Sequence, residues 1–378
     1  MAYNSVGTPR FIIDYLTWYN SLGLIEKFYL WNADTSRSDD DIDVAKLIGL
    51  NPTSIVKAYS TSGNSTDGFN YVFYLKGESF SEKHFPVEDI NVVGLFGHNL
   101  KTVIDDNPNL AYYIGFSDQG SGDDTEHPKW TFGEYEAGKE ISINSNFSNN
   151  GINEGILKPS NDGWSLQSVS GISNDYTGFE TNIHNINLIP RAVSNLNSIF
   201  TLGSCLIGRI FDMPHSPDLK LSISYETGTK EQTTRGGATL TNNMWEARKW
   251  GDLPAWGFDS HAANPVNVRY FNTAPKDRRV WDLSFSYLDK ENTFPKYNSH
   301  TTLETTDAPS SNPDQYTLNG SDDFYSQVWN KVGNQHRFIF QPDNTVNEFA
   351  ICKIDGNIKF TQVANGVYNI KLKIREVW

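Results

Sequence analysis

Histidine and cysteine are the side chains best suited to chemistry in this 378-residue chain, which holds 8 of the first and 2 of the second. His84, His98, His127, His184, His215, His261, His300 and His336 never fall at the spacing that lets one element present two metal ligands. Cys205 and Cys352 lie far apart among apolar neighbours. They read as packed, reduced thiols that supply neither a zinc set nor a disulfide framework, which favours intracellular synthesis over secretion. No Gly-rich phosphate loop, no His pair with an intervening Glu and no Gly-flanked serine elbow occurs, and Gly203-Ser204-Cys205 lacks the flanks of such an elbow. The 45 acidic side chains leave a paired-carboxylate polysaccharide hydrolase formally open, because two carboxylates joined by folding leave no local trace. Solvated surface is the commoner use of such residues. The expectation is a chain with no catalytic residue, no metal and no cofactor.

In Val93-Gly94-Leu95-Phe96-Gly97-His98-Asn99-Leu100 an apolar strand runs into a turn. Gly97 permits an unusual backbone angle, Asn99 can bond its own loop, and His98 is left to anchor the corner by hydrogen bonds. A catalytic base needs a partner, and none is in sight, so Gly97, His98 and Asn99 are expected to be structural. Trp130 and Trp164 are expected in Gly- and Asp-flanked loops, where an indole serves either as a stacking platform for a sugar or as a plug for its own core. Acids lead the segment Asp39-Asp40-Asp41-Ile42-Asp43-Val44-Ala45-Lys46-Leu47-Ile48-Gly49. That order is a helix signature, since carboxylates oppose the positive end of the macrodipole and Gly accepts a left-handed exit. A calcium loop fits less well, because its obligatory Gly and closing Glu are missing from their places.

Aromatic strands are what the composition offers to hold these residues. The 18 Tyr, 22 Phe and 10 Trp favour strands and interfaces. Phe69–Leu75 and Ile90–Phe96 are rich in β-branched and aromatic residues, and Gly, Asn, Ser and Asp clusters punctuate the chain between them and residue 176. Short strands with such punctuation point to a β-sandwich or jelly roll. Lys220–Glu226 and Val280–Tyr287 alternate as half-buried strands. Ser321 and Asp322 are placed to cap a helix in which Phe324 precedes Val328, and Tyr325 precedes Trp329, by one turn. Phe338–Phe340, Phe349–Ile354 and a terminal strand running to Trp378 complete an α+β half. In that last strand Tyr368, Ile370, Leu372 and Ile374 share one face, with Asn369, Lys371, Lys373 and Arg375 on the other. Phe11–Leu16 reads as a strand or a short helix, with Leu30-Trp31-Asn32 as its pairing partner. The fold expected is mainly β: an N-terminal arm or small helical unit (1–59), a β-sandwich (60–205) and a C-terminal assembly domain (206–378), with a long loop at 296–321.

The formal charge of −14 argues against a surface that tracks phosphates, so nucleic acid is not an expected partner. The basic run Lys276-Asp277-Arg278-Arg279 suits an acidic neighbour or a solvated turn. The opening residues lack a basic start with an apolar core behind it, and no segment reads as a bilayer span, so neither export nor membrane insertion is expected.

The Gly97-His98-Asn99-Leu100 corner resembles one in the galactose-binding-like β-sandwich domains of tailed-bacteriophage structural proteins. Leu206-Ile207-Gly208-Arg209-Ile210-Phe211-Asp212-Met213-Pro214, followed by Arg235-Gly236-Gly237, is similar to the passage after that sandwich. Arg279–Phe285, the segment 322–331, Gly333, Phe338–Asp343 and Val363–Tyr368 then follow the order of the ring-forming core of distal tail and minor tail proteins. The likeness covers residues 60–378, and residues 1–59 match nothing in the group. It implies a virion protein of the tail tip or baseplate, made in the host cytoplasm. Such a protein forms a ring, with a hexamer expected, contacts other tail proteins and links the tail to host-recognition parts, host glycans among its possible ligands. Lambda-type minor tail proteins carry a cysteine cluster for iron and sulfur, which two lone cysteines do not supply. Phe211, Arg235, Arg279, Trp281 and Trp378 are the expected ring contacts, since strand ends and charged corners usually meet the next subunit. The rival readings are a carbohydrate-binding module that uses Trp130 and Trp164, and the polysaccharide hydrolase.

Overall fold

The computed structural model describes residues 6–23, 25–32, 37–39, 44–51, 56–58, 69–75, 91–98, 111–117, 130–136, 164–168, 185–191, 200–227, 230–242, 277–296, 318, 321–346 and 349–377. The protein is mainly β, with a large antiparallel sheet. Its chain divides into two compact units. An inner unit, Asp14–Ile210, is inserted in sequence into a terminal unit made of Met1–Ile13 and Phe211–Trp378.

The first strand, β1 (Arg10–Asp14), carries Phe11, Ile12 and Ile13, all buried. A continuous apolar run of this kind is what a strand covered on both faces requires. Helix α1 (Tyr15–Ser21) follows without a gap, because the Asp14 carboxylate accepts hydrogen bonds from the backbone N–H of Leu16 at 3.1 Å and of Thr17 at 3.2 Å. One capping side chain thus ends the strand and starts the helix. The strand-or-helix alternative for Phe11–Leu16 resolves into both, in that order.

The inner unit continues with β2 (Ile25–Asn32), β3 (Arg37–Asp39), β4 (Val56–Ala58), β5 (Phe69–Leu75), β6 (Val92–Phe96), β7 (Ala111–Ser117), β8 (Trp130–Glu136), β9 (Trp164–Ser168), β10 (Asn185–Arg191), β11 (Phe200–Leu202) and β12 (Ser204–Asp212). One sheet runs β3-β2-β5-β10-β7-β8, β4 pairs with β11, and β6 lies between β12 and β9. Leu30 sits opposite Asp39 on one side and Tyr71 on the other, so Leu30-Trp31-Asn32 does not pair with the first strand; Phe11 faces Phe340 instead. Of the helix read over 39–49, Asp39 belongs to β3 and Val44–Leu47 form a 3-10 turn, while residues 40–43 lie outside the described residues. The exit of that turn is as the sequence implied, with Gly49 at φ +94°.

The terminal unit holds β13 (Ser222–Thr227), β14 (Lys230–Thr233), β15 (Thr239–Asn242), β16 (Asp277–Asp289), β17 (Phe338–Gln341), β18 (Ala350–Ile354), β19 (Lys359–Ala364) and β20 (Val367–Glu376). Its strands follow the order β13-β16-β20-β18-β17-β1, with β19 also on β20. The core is aromatic: the Phe11 ring lies 5.7, 5.5 and 5.4 Å from those of Phe324, Phe338 and Phe340, and Trp281 meets Phe340 at 5.2 Å. Such edge-to-face and tilted pairs add about 0.5–1.5 kcal/mol each beyond the area they bury.

The helix read at 322–331 is a π-helical turn, Tyr325–Trp329, continued by Asn330–Val332. Phe324 and Val328 are both fully buried, which gives the apolar stripe. The cap is Asp323 rather than Ser321 or Asp322: its carboxylate accepts from the Ser326 N–H at 2.9 Å and the Ser326 hydroxyl at 2.8 Å. In β20, Ile370, Leu372 and Ile374 point inward while Lys371 is exposed, as alternation requires. The strand ends at Glu376, which keeps the inward parity, and Val377 N–H bonds to Ile351 O at 2.9 Å. Trp378 and most of the 296–321 loop lie outside the described residues.

Candidate functional site

Phe211, Arg279 and Trp281 were expected at a subunit boundary and lie inside the terminal unit, with exposures of 6%, 1% and 2%. Phe211 packs edge-on against Phe324 at 5.9 Å. Arg279 gives its backbone N–H to Glu376 Oε2 at 2.9 Å, its Nε to the same oxygen at 3.3 Å and its Nη2 to Oε1 at 3.4 Å. Its guanidinium also stands 5.0 Å from the centre of the Trp281 ring. Side chains consumed by their own core do not cover a neighbour, so these three are withdrawn as ring contacts. The basic run 276–279 looked like a corner, but β16 already begins at Asp277 and alternation turns Arg279 inward with Trp281. Trp378 lies outside the described residues.

Arg235 is the expected contact that the structure leaves exposed, and its setting is unusual. It sits in the turn of the β14–β15 hairpin, which pairs Lys230 with Asn242 and Thr233 with Thr239. Thr234 closes that turn: its N–H bonds to Ala238 O at 2.8 Å, its hydroxyl donates to the same oxygen at 3.0 Å, and the Ala238 N–H returns a bond to that hydroxyl at 3.1 Å. Gly237, at φ +84°, takes the left-handed position that a residue with a Cβ would resist. From Glu231 to Thr241 every residue except Thr234 is exposed, and Leu240 shows 60% of its surface. A two-stranded hairpin without a buried face is marginal in water. Among the described residues this hairpin forms a sheet by itself, so it is the candidate interaction surface, with Leu240 and Arg235 as apolar and charged handles.

In the inner unit, Gly97 adopts φ +69° and His98 is buried. Burial pulls the His98 imidazole down to about 3, so it is neutral and shielded at ordinary pH. Asn99 lies outside the described residues. Trp130 and Trp164 open strands β8 and β9 instead of standing in loops, opposite Phe116 and Phe96 respectively. Aromatic residues favour such cross-strand positions, which explains the difference.

Two buried polar groups escaped the sequence reading. Asp14 takes, besides its two backbone bonds, the hydroxyl of Thr17, and that same hydroxyl accepts the Gly49 N–H at 3.0 Å. Burial raises the Asp14 carboxyl to about 7, and burial together with the Asp14 charge pushes the Cys205 thiol up. The second group is Asp323, Ser326, Gln327 and Lys331, all buried. Lys331 Nζ donates to Gln327 Oε1 at 2.8 Å and to Ser326 O at 3.3 Å, and Gln327 Nε2 donates to Ser321 O at 2.8 Å. Both groups direct these bonds to helix ends and turns. An Asp directly after an apolar run and three residues before a Thr was the available signal for the first. Among the described residues no three His, Cys, Asp or Glu side chains gather as a metal site. Comparison with protein-family models, curated proteins and solved structures gives no match to this chain.

Proposed function

We propose that this chain is a structural component of a phage tail tip or baseplate, of the distal-tail kind, that assembles into a ring of identical copies and performs no turnover. In this reading the terminal unit makes the ring, and residues 60–205 form a galactose-binding-like jelly roll that meets host glycans or other tail parts. The carrying observation is the β14–β15 hairpin, exposed from Glu231 to Thr241 except at Thr234 and paired only with itself among the described residues. A segment of that kind gains its order from a surface laid against it, and in a closed assembly that surface is the next subunit. The resemblance of the order of short motifs to that of distal tail proteins supports the same reading. Imaging the purified full chain by cryo-electron microscopy tests it: rings are expected, and Leu240→Asp should disperse them without changing the circular dichroism spectrum. A chain that stays solitary at high concentration and is missing from virus particles removes the proposal.

A further inference from the structure

The outward face of β20 carries Lys371, Lys373 and Arg375, opposite in parity to Ile370, Leu372 and Ile374. Residues directly opposite each other in an antiparallel ladder share a face. On the edge where β18 and β19 join β20, register sets Lys353 opposite Arg375 and Lys359 opposite Lys371. Phe338 pairs with Cys352, so Arg337 falls in line with Lys353 one place along. Lysines and arginines therefore face one another on that side of β20, while on its other side the exposed Asp282 stands opposite Lys373, in a chain whose net charge is −14. Like charges so placed destabilise a sheet. The Lys353 amine is held down by burial and by the Arg337 charge, and His336 by burial and by Lys353.

Local acids answer only part of this stripe. Asp355 binds Lys373 at 3.2 Å and Arg375 at 3.0 Å, and Glu226 binds Arg375 at 3.1 Å. Lys353, Lys359 and Lys371 have no ion pair among the described residues, and the last two are exposed. Setting this stripe aside leaves the rest of the chain more acidic than its net charge of −14. Stripe and remainder are complementary, and the partner always present at matching concentration is another copy.

We infer that the Arg337–Lys353–Arg375–Lys373–Lys371–Lys359 stripe docks an acidic surface of a second copy of this chain in a head-to-tail contact. The inference rests on the assembly reading and names one of its contact surfaces. Because the lysines stay near solvent, the contact is salt-sensitive: the screening length shrinks from about 10 Å at 0.1 M salt to about 3 Å at 1 M. Stripes of this kind govern association and register more than buried-core affinity.

Sedimentation of the full chain at low and high salt, with Lys359→Glu/Lys371→Glu and Lys359→Arg/Lys371→Arg alongside, tests the inference. Association should weaken at least about tenfold in high salt and in the reversed variant, while the arginine variant behaves as the parent. The salt arm needs no substitution, so a reversed variant that failed to fold would not shield the inference. A ring that survives both salt and reversal removes the stripe and keeps the ring. A salt-sensitive dimer that never closes into a ring keeps the stripe and removes the ring. A chain solitary in every buffer removes both, and one held on a heparin column through the same two lysines assigns the stripe to another polyanion, which also overturns this inference.

Discussion

Two buried carboxylates, Glu376 in the terminal unit and Asp14 in the inner unit, are treated in opposite ways. Glu376 in the terminal unit is closed off with the Arg279 guanidinium and backbone N–H as its partners. Asp14 in the inner unit has backbone N–H groups and the Thr17 hydroxyl but no cation among the described residues, and its carboxyl rises to about 7. Equal burial therefore says little about charge; what differs is whether a formal opposite charge was brought in with the acid. Hydrogen bonds alone offset part of the desolvation of Asp14, and protonation is the remaining route. A buried pair holds its geometry but tolerates the loss of neither member.

The largest effect expected from breaking this contrast is at the pair. Glu376→Ala strands a buried guanidinium and should lower stability by up to about 5 kcal/mol, read from denaturant unfolding. Replacing both members by apolar residues, Arg279→Met with Glu376→Leu, should recover most of that loss; a double variant as unstable as the single one would show that the pair itself, rather than the orphaned charge, is what the unit needs.

Next is the pH response of the inner unit, where two buried groups oppose each other. The folded Asp14 carboxyl lies near 7 against 3.8 for an aspartate in water, so its contribution is full below 3.8 and is lost as pH rises through 7. His98 is the reverse: its folded value near 3 lies below the ordinary 6.5, so its contribution is full above 6.5 and is lost as pH falls toward 3. Each amounts to about 4–5 kcal/mol across its window, since a tenfold change in proton affinity is worth about 1.4 kcal/mol. Wild-type stability should therefore change little between about pH 4 and pH 6.5, where the two slopes cancel. Asp14→Asn should make the inner unit weaken on acidification, and His98→Gln should make it weaken as pH rises toward 7. Parallel pH profiles for the two variants, measured by hydrogen exchange in inner-unit peptides, would refute the assignment.

The smallest effect extends the contrast to a paired carboxylate in solvent. Asp212 binds Arg10 through Nε at 2.7 Å and Nη2 at 3.0 Å, with side-chain exposures of 43% and 27%. Water already solvates such ions, so Asp212→Asn should cost less than about 1 kcal/mol and fade further in salt. A loss as large as that of Glu376→Ala would mean that geometry, not burial, sets the worth of an ion pair in this protein.

Strands were the most legible part of the fold. Phe69–Leu75 reproduces β5 residue for residue, and the parity of Ile370, Leu372 and Ile374 was readable because a two-residue period is a property of neighbours. Val280–Tyr287 was found, but its true start at Asp277 was hidden by charged residues, and with it the inward turn of Arg279. The same strand shifts register between Phe285 and Leu288, where Tyr287 takes φ +62° and lies exposed. No local pattern marks that bulge. The candidate surface was half legible: Arg235-Gly236-Gly237 signalled a turn, whereas the exposure of the strands on either side depends on what the fold leaves uncovered.

Taken alone, the order of residues determined that this is a β protein, where β5, β6, β13, β16, β17, β18 and β20 run and which side of the last strand looks inward, because those properties are set by steric and hydrophobic preferences within a few residues. Only the tertiary structure decided that Phe11 belongs with Phe338 and Phe340, that Glu376 closes on Arg279, and that lysines face arginines across β20. Such pairings join segments far apart in the chain, and their register depends on how every intervening element packs, which no local period records.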